Sequence, residues 1–359
     1  MTRILRLALA AALLLTAPGA VCVAQSLRDR ADRAGVLVGA AVEPRLLSEA
    51  DYAATVAREF NMVEPENAMK WGGLRPDRNT FNFGPADEVV AFGRRHGMKV
   101  RGHCLLWSEY NPAWLEKGKF TPVQLSAMLR EHIFKVMRHY SGKVFAWDVV
   151  NESFLADGTI EPSVWYDSPG IGMKGKGTAY IEQAFRWARE ADPKALLFYN
   201  DYDTEAMNAK SDAVYEMAKD FKRRGVPIDG VGIQAHILSL DVKELSSFAA
   251  NIERLVALGL QVHITEMDVG LLTDAEGRLR DPEDLRRQAE VYRAVAEACF
   301  RQKGCTAIQT WGFTDKYTWI PGYTKGQKGA PLIFDQSYAP KPSYKALLEA
   351  LDVRRALKP

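Results

Sequence analysis

The chain repeats one pattern eight times: a short, continuously apolar run followed by an amphipathic segment. The apolar runs fall at residues 36–42, 61–64, 99–106, 144–151, 195–200, 230–235, 261–265 and 306–310. The amphipathic segments fall at residues 51–60, 84–96, 122–139, 180–190, 211–224, 242–258, 282–303 and 342–351. Apolar strands that alternate with helices indicate parallel pairing with helices covering the sheet. Eight such units predict a single (β/α)8 barrel, or TIM barrel.

A doubly wound open sheet is the main alternative for an alternating pattern of this kind. That fold usually carries a glycine-rich turn after its first strand, whereas here Val42 runs into Glu43, Pro44 and Arg45. A chain of 359 residues with 47% apolar residues is ample for one large core. No linker or low-complexity segment interrupts it, so we expect one domain over residues 25–359.

The first 24 residues have the layout of a secretory signal peptide. Arg3 and Arg6 precede an apolar run at residues 7–17, which is too short to span a bilayer. We expect cleavage after Ala24, with cleavage after Ala20 and an uncleaved membrane anchor as the alternatives. The mature protein is then secreted, either to the medium or to the periplasm, and is not attached to a membrane.

Charge and cysteine content narrow the range of partners. Removing residues 1–24 takes away two of the 47 basic residues and none of the 45 acidic ones, which leaves the mature chain neutral. Such a balance argues against nucleic acid and membrane surfaces as partners. Cys104 lies in an apolar run and is expected to be a buried thiol, while Cys299 and Cys305 could form a disulfide in an exported protein. Without histidines nearby they do not make a zinc site, and we expect neither metal nor cofactor.

Polar and aromatic side chains collect where the predicted strands end. They are Glu66, Asn67, Lys70, His103, Trp107, Asn151, Glu152, Gln234, His236, Glu266, Asp268, Trp311 and Trp319. The carboxyl ends of the strands form the active-site face of a (β/α)8 barrel. Amides, carboxylates and lysine match sugar hydroxyls, and tryptophan offers a flat face to a sugar ring. The set therefore indicates a carbohydrate site.

Two carboxylates, Glu152 and Glu266, end the fourth and seventh strands, which lie on opposing sides of an eight-stranded barrel. Cleavage of a glycosidic bond needs one acid to protonate the leaving oxygen and one anion at the anomeric carbon. Asp268 could orient His236, which in turn could hydrogen-bond Glu266 and favour its ionised form. Each glutamate taken alone could be a solvated loop carboxylate, and His236 could be a core histidine.

With these residues identified, residues 39–344 closely resemble glycoside hydrolase family 10, whose best-known members are endo-1,4-β-xylanases. The matching stretches are PENAMKW at 65–71, RGH at 101–103, WDVVNE at 147–152, GIQAH at 232–236, ITEMDV at 264–269 and WGFTDKY at 311–317. The resemblance implies a (β/α)8 fold and a retaining mechanism, with Glu152 as acid/base and Glu266 as nucleophile. Retention further predicts carboxyl groups about 5–5.5 Å apart.

The same resemblance assigns roles to the remaining residues. Those expected around the sugar at the cleavage point are His103, Trp107, Asn151, Gln234, His236 and Trp311. Those expected on the glycone side are Glu66, Asn67, Lys70 and Trp319. Asp268 matches the support for the histidine, and Cys299 and Cys305 match a disulfide found in many members.

One departure from the family pattern bears on specificity. Where the family usually has a glutamine that contacts the second glycone sugar, this chain has Tyr110. That subsite could prefer another sugar or a substituted one, or the change could be loop variation without effect. We therefore expect a monomeric endo-1,4-β-xylanase acting on xylan. The alternatives are a β-glycosidase of the same fold acting on another β-glucoside or on decorated xylan, and a carbohydrate-binding barrel without catalysis.

Overall fold

The structure is a computed structural model that describes residues 25–356, apart from the side chain of Glu244. The predicted signal peptide lies outside this range. Eight strands form the central sheet: β1 Leu37–Ala41, β2 Met62–Glu64, β3 Lys99–Trp107, β4 Ala146–Asn151, β5 Leu196–Asp201, β6 Gly230–Ile233, β7 Gln261–Val269 and β8 Cys305–Thr310. Its α-helices are α1 Leu27–Ala34, α2 Ala50–Glu59, α3 Trp71–Leu74, α4 Gly84–Arg95, α5 Ala113–Glu116, α6 Pro122–His139, α7 Ala179–Ala191, α8 Ala209–Arg224, α9 Phe248–Ala257, α10 Asp284–Phe300, α11 Ile320–Tyr323 and α12 Pro342–Ala356.

Each strand pairs in parallel with the next, and the last strand closes the sheet on the first. β8 pairs with β1 in the register Leu37↔Ala307 and Gly39↔Gln309. Because this pairing leaves the eight-stranded sheet without an edge, the predicted (β/α)8 barrel is confirmed and the open-sheet alternative is wrong. A short strand at His236–Ile237 extends the pairing of β7 beyond the barrel. A small antiparallel pair, Leu271–Leu272 with Lys328–Gly329, lies in the loops that follow β7 and β8.

Local chemistry explains where several helices begin and end. Thr121 and Asn208 form capping boxes at the starts of α6 and α8, so their side chains satisfy free backbone N–H groups. Gly225 ends α8 in the left-handed conformation that glycine adopts without steric cost. Among the described helices, none is long and apolar enough to cross a bilayer.

Several predicted boundaries are corrected by the structure, among them the following four. The segment predicted as one helix at 242–258 is a 3₁₀ turn, Val242–Leu245, followed by α9, because the backbone changes course at Ser246 and Ser247. The run predicted to end at 235 ends at Ile233, since Ala235 takes a left-handed conformation with φ 64°. Conversely, β3 continues through Trp107 and β7 through Val269.

Cysteine pairing follows the expectation. Cys299, in α10, and Cys305, at the start of β8, are joined by a disulfide. Cys104 is a buried free thiol within β3. Burial raises its pKa well above the ordinary value of a thiol, so it is held in the unreactive protonated form.

Candidate active site

Glu152 directly follows β4, at the end of the barrel formed by the carboxyl ends of the strands. Its backbone lies in the left-handed region with φ 53°, a conformation that costs a non-glycine residue of order 1 kcal/mol. Its carboxyl group accepts hydrogen bonds from Nε2 of Gln234 at 2.6 Å and from Nε1 of Trp107 at 2.9 Å. Burial, helped by the negative charge of Glu266, raises the pKa of Glu152. This carboxyl is therefore biased towards its protonated form.

Glu266 lies in β7 and is buried. Its Oε1 accepts a hydrogen bond from Nδ2 of Asn200 at 2.7 Å, and its Oε2 lies 3.3 Å from Nε2 of His236. Burial alone would raise the pKa of Glu266. The hydrogen bond from His236 and the positive charges of His103, His236 and Lys70 outweigh that effect, so the pKa lies below its ordinary value. This carboxyl is biased towards the anion.

Behind Glu266, the histidine is held by a second carboxylate. Nδ1 of His236 lies 3.1 Å from Oδ1 of Asp268, whose other oxygen accepts a hydrogen bond from Nε1 of Trp319 at 2.8 Å. Burial would lower the pKa of His236, but Asp268 and Glu266 raise it well above the ordinary value. A protonated ring is thereby favoured between the two carboxylates, and the three residues that were predicted to form a chain lie within contact distance of one another.

Three side-chain amides connect the two glutamates. Nε2 of Gln234, which binds Glu152, also lies 3.4 Å from Oδ1 of Asn151. That same oxygen accepts a hydrogen bond from Nδ2 of Asn200 at 2.8 Å, and Asn200 binds Glu266. The buried Nδ2 of Asn151 has no hydrogen-bond partner among the described residues. It is left as a donor for a bound ligand.

Asn200 is a residue of the site that the sequence did not predict. The hydroxyl of Thr265 donates to Oδ1 of Asn200 at 2.6 Å, which fixes the amide with its NH2 group towards Glu266. The only signal in the sequence was its place at the end of a strand. Its role depends on contacts with β4 and β7, which sequence order does not reveal.

The residues expected on the glycone side form two groups rather than one. Glu66, Asn67 and Lys70 lie together: Nζ of Lys70 donates to Asn67 at 2.9 Å, and Asn67 donates to Glu66 at 3.2 Å. Burial raises the pKa of Glu66 to about 7. Trp319 lies apart from these three and packs on His236, with ring centroids 5.0 Å apart, and its place on the glycone side stays a prediction.

Lys70 is enclosed by three aromatic rings. Its Nζ lies 4.8 Å from the ring centroid of Trp107, 4.9 Å from that of Tyr110 and 5.1 Å from that of Trp311. The rings of Tyr110 and Trp107 are nearly parallel, with an interplanar angle of 6° and centroids 6.3 Å apart. Tyr110 is 51% exposed, so it presents an open aromatic face beside the lysine.

A buried ionic cluster lies beneath the catalytic face. Arg101 forms an ion pair with Asp148 and lies 3.6 Å from Oε2 of Glu64, and Asp148 is also 3.1 Å from Nδ1 of His103. Burial raises the pKa of Glu64 to about 7. Glu64, His103 and Asp148 bring three potential metal ligands together. The guanidinium of Arg101 already contacts both carboxylates, so we treat the cluster as an ion-pair network that supports the site.

A barrel that presents one buried and one half-buried carboxyl with oppositely shifted pKa values, framed by amides and aromatic rings, has the site of a glycoside hydrolase. That chemistry needs one protonated and one ionised carboxyl in a shared site. The family model described as glycosyl hydrolase family 10 matches residues 26–350. The chain belongs to glycosyl hydrolase family 10.

Individual relatives agree with this assignment. The chain is 43% identical over 332 residues to endo-1,4-beta-xylanase B of Thermotoga neapolitana, covering 91% of each chain. It is similar to the crystal structure of native xylanase 10B from Thermotoga maritima, with a TM-score of 0.84 and 42% identity over 93% of this chain and 100% of that one. It is also similar to xylanase 10B from Thermotoga petrophila in complex with xylobiose, with a TM-score of 0.83, 43% identity and coverage of 91% and 97%.

Proposed function

We propose that this family 10 glycoside hydrolase is a retaining endo-1,4-β-xylanase that cleaves internal bonds of xylan. The observation that carries the proposal is the pair Glu152 and Glu266, whose pKa values are shifted in opposite directions within one hydrogen-bonded site. Several relatives are named as endo-1,4-β-xylanases, and one was solved with xylobiose bound. Both lines of support point to a β-linked xylose oligomer as substrate.

In the first half of the reaction, the ionised Glu266 attacks the anomeric carbon of the sugar on the glycone side. The bond to the leaving oxygen breaks, and that oxygen takes the proton of Glu152. In the second half, Glu152 removes a proton from water, which displaces Glu266 from the covalent glycosyl-enzyme. Two inversions give net retention of configuration at the anomeric carbon.

Product stereochemistry and variant kinetics test the mechanism together. Proton NMR of the first product from xylopentaose should show the β-anomer before mutarotation. Glu266→Ala should lose activity on all substrates, whereas Glu276→Ala, a loop carboxylate paired with Arg278, should match the wild type. An α-anomeric first product, or full activity of Glu266→Ala, would contradict the assignment.

Substrate preference distinguishes the xylanase from an enzyme of the same fold acting on another β-glucoside. Tyr110, whose exposed ring lies beside Lys70, replaces the glutamine that the family usually has at this position, and this departure is the reason to compare the two substrates. Initial rates on xylan, glucuronoxylan, arabinoxylan and carboxymethyl-cellulose separate the two. The proposed function requires that linear xylan be cleaved faster than carboxymethyl-cellulose.

The predicted secretion and monomeric state belong to the same proposal. Expression of the full chain in a bacterial host, followed by mass spectrometry of the exported protein, should give Gln25 as the first residue. A first residue at Val21 would favour the alternative cleavage after Ala20. Size-exclusion chromatography with light scattering should give the mass of one chain.

A further inference from the structure

The backbone at Glu152 is held by β5 through the two peptide units on either side of its Cα. The N–H of Glu152 donates to the carbonyl of Asn200 at 2.9 Å, and the N–H of Ser153 donates to the hydroxyl oxygen of Tyr199 at 3.0 Å. A residue in the left-handed region keeps that conformation only when its surroundings over-determine it. The two hydrogen bonds from β5 provide that constraint.

The Tyr199 hydroxyl is itself held by a buried ion pair. It donates to Oδ2 of Asp201 at 2.5 Å, and Oδ1 of Asp201 lies 2.8 Å from Nζ of Lys210 in α8. All three side chains are buried. Lys210 Nζ also lies 3.2 Å from the ring centroid of Tyr202, which fixes the ammonium from a second side.

A buried ion pair of this kind contributes little net stability to a fold, because the desolvation of its charges offsets their attraction. Removing two charges from water costs several kcal/mol per ion, and well-packed apolar residues often serve stability equally well. The Tyr199 hydroxyl accepts a hydrogen bond from the N–H of Ser153, so its own proton must point to another acceptor. That acceptor is the carboxylate of Asp201. The charge on Asp201 in turn requires Lys210.

From these contacts we propose that Tyr199, Asp201 and Lys210 form a positioning network for the acid/base Glu152. This proposal rests on the proposed function, because it assigns the network to the step in which Glu152 gives its proton to the leaving oxygen. None of the three acts on substrate in this scheme. They fix the backbone next to the Cα of Glu152, while Gln234 and Trp107 hold the carboxyl group at the end of its side chain.

Leaving-group dependence provides the test. 2,4-Dinitrophenyl β-xylobioside has a leaving group that departs without protonation, whereas phenyl β-xylobioside needs the proton of Glu152. For Tyr199→Phe we expect kcat/KM to fall about tenfold with the phenyl substrate, the loss of one hydrogen bond. With the dinitrophenyl substrate it should stay within about twofold of the wild type, since that step does not use the acid.

Two further variants keep the result interpretable. Tyr344→Phe removes a hydroxyl that also donates to a carboxylate, Glu59, on the outside of the barrel, and should change neither rate. The double variant Asp201→Leu/Lys210→Met removes both charges, and with them the oxygen that accepts from Tyr199, without leaving one charge buried alone. It should show the same selective loss on the phenyl substrate as Tyr199→Phe.

The outcomes separate this proposal from the proposed function. Glu152→Ala should lose far more activity with the phenyl than with the dinitrophenyl substrate. If Glu152→Ala lacks that selectivity, the acid/base assignment itself fails. If Glu152→Ala shows it but Tyr199→Phe loses equally on both substrates, or loses nothing, then the network has only a structural role and the positioning proposal is overturned.

Discussion

The side-chain amide of Asn200 donates a hydrogen bond to Oε1 of Glu266 across 2.7 Å. The same nitrogen donates to Asn151, and Thr265 fixes the orientation of the amide from behind. The proposed nucleophile is therefore held by a residue of β5, which lies beyond β6 in the sheet, as well as by His236. Because Asn200 also holds Glu266, we expect the loss of His236 to change the pKa of Glu266 more than its position.

Asn200→Ala should lower kcat/KM on xylan by roughly ten- to a hundredfold, because a hydrogen bond to a charged group is worth about 1.5–3 kcal/mol. Thr265→Val keeps the amide but removes the group that orients it, so its loss should be smaller. Steady-state kinetics with circular dichroism as a check on folding would measure both. Wild-type kcat/KM in Asn200→Ala would show that the contact is dispensable.

The pH profile of kcat/KM should be bell-shaped, and each limb should respond to a different variant. Activity falls at acid pH when Glu266 becomes protonated and at alkaline pH when Glu152 loses its proton. His236→Asn removes a hydrogen bond and positive charge that lower the pKa of Glu266, so the acid limb should move to higher pH.

Gln234→Leu should act on the other limb. The hydrogen bond from Gln234 lowers the pKa of Glu152, so its loss should move the alkaline limb to higher pH while the acid limb stays in place. Rates measured from pH 3 to pH 10 on an aryl xylobioside give both limbs. Movement of both limbs in either variant would mean that the two carboxyls do not titrate as assigned.

Tyr110→Ala should relax the preference for xylose in the second glycone subsite. The ring of Tyr110 stacks beside Trp107 and lies next to Lys70, and its removal would leave space for the hydroxymethyl group that glucose carries and xylose lacks. We expect the ratio of kcat/KM for aryl β-cellobioside over aryl β-xylobioside to rise roughly tenfold. An unchanged ratio would instead support loop variation without effect on specificity.

Arg101→Met should be strongly destabilising, because it leaves Asp148 and Glu64 buried without their shared cation. Breaking a buried ion pair from one side typically costs about 3–5 kcal/mol of unfolding free energy. Arg130→Met breaks a surface pair with Glu190 and should change stability little. Urea denaturation of both variants gives the comparison, and equal midpoints would contradict the importance of the buried cluster.

The strands were predictable because each barrel strand is buried on both faces and reads as a continuous apolar run. β7 was predicted too short because Glu266 and Asp268 interrupt its apolar pattern, although Met267 between them and Val269 after them are buried. Helix α1 was missed because it has few apolar residues. Its capping box, Ser26 with Asp29, was the available signal.

Their positions at the strand ends identified the two glutamates, but the sequence did not predict the hydrogen bonds that connect them. The amide bridge through Asn200 and the hydrogen bond from Ser153 to Tyr199 join residues at least 46 positions apart in the chain, and each depends on side-chain orientation. Strand-end position predicts that a side chain can reach the site. It does not say which partner that side chain will meet.

The first and last described helices pack side by side: Arg30 of α1 pairs with Asp352 of α12 at 2.6 Å and also donates to the carbonyl of Leu348. They flank the closure between β8 and β1, so a short peptide linker could join them. A circular permutant with its new ends in an exposed loop between other barrel units should then refold with the same sheet. For protein engineering, the first residue of the chain can therefore be moved to a different loop while the barrel is kept.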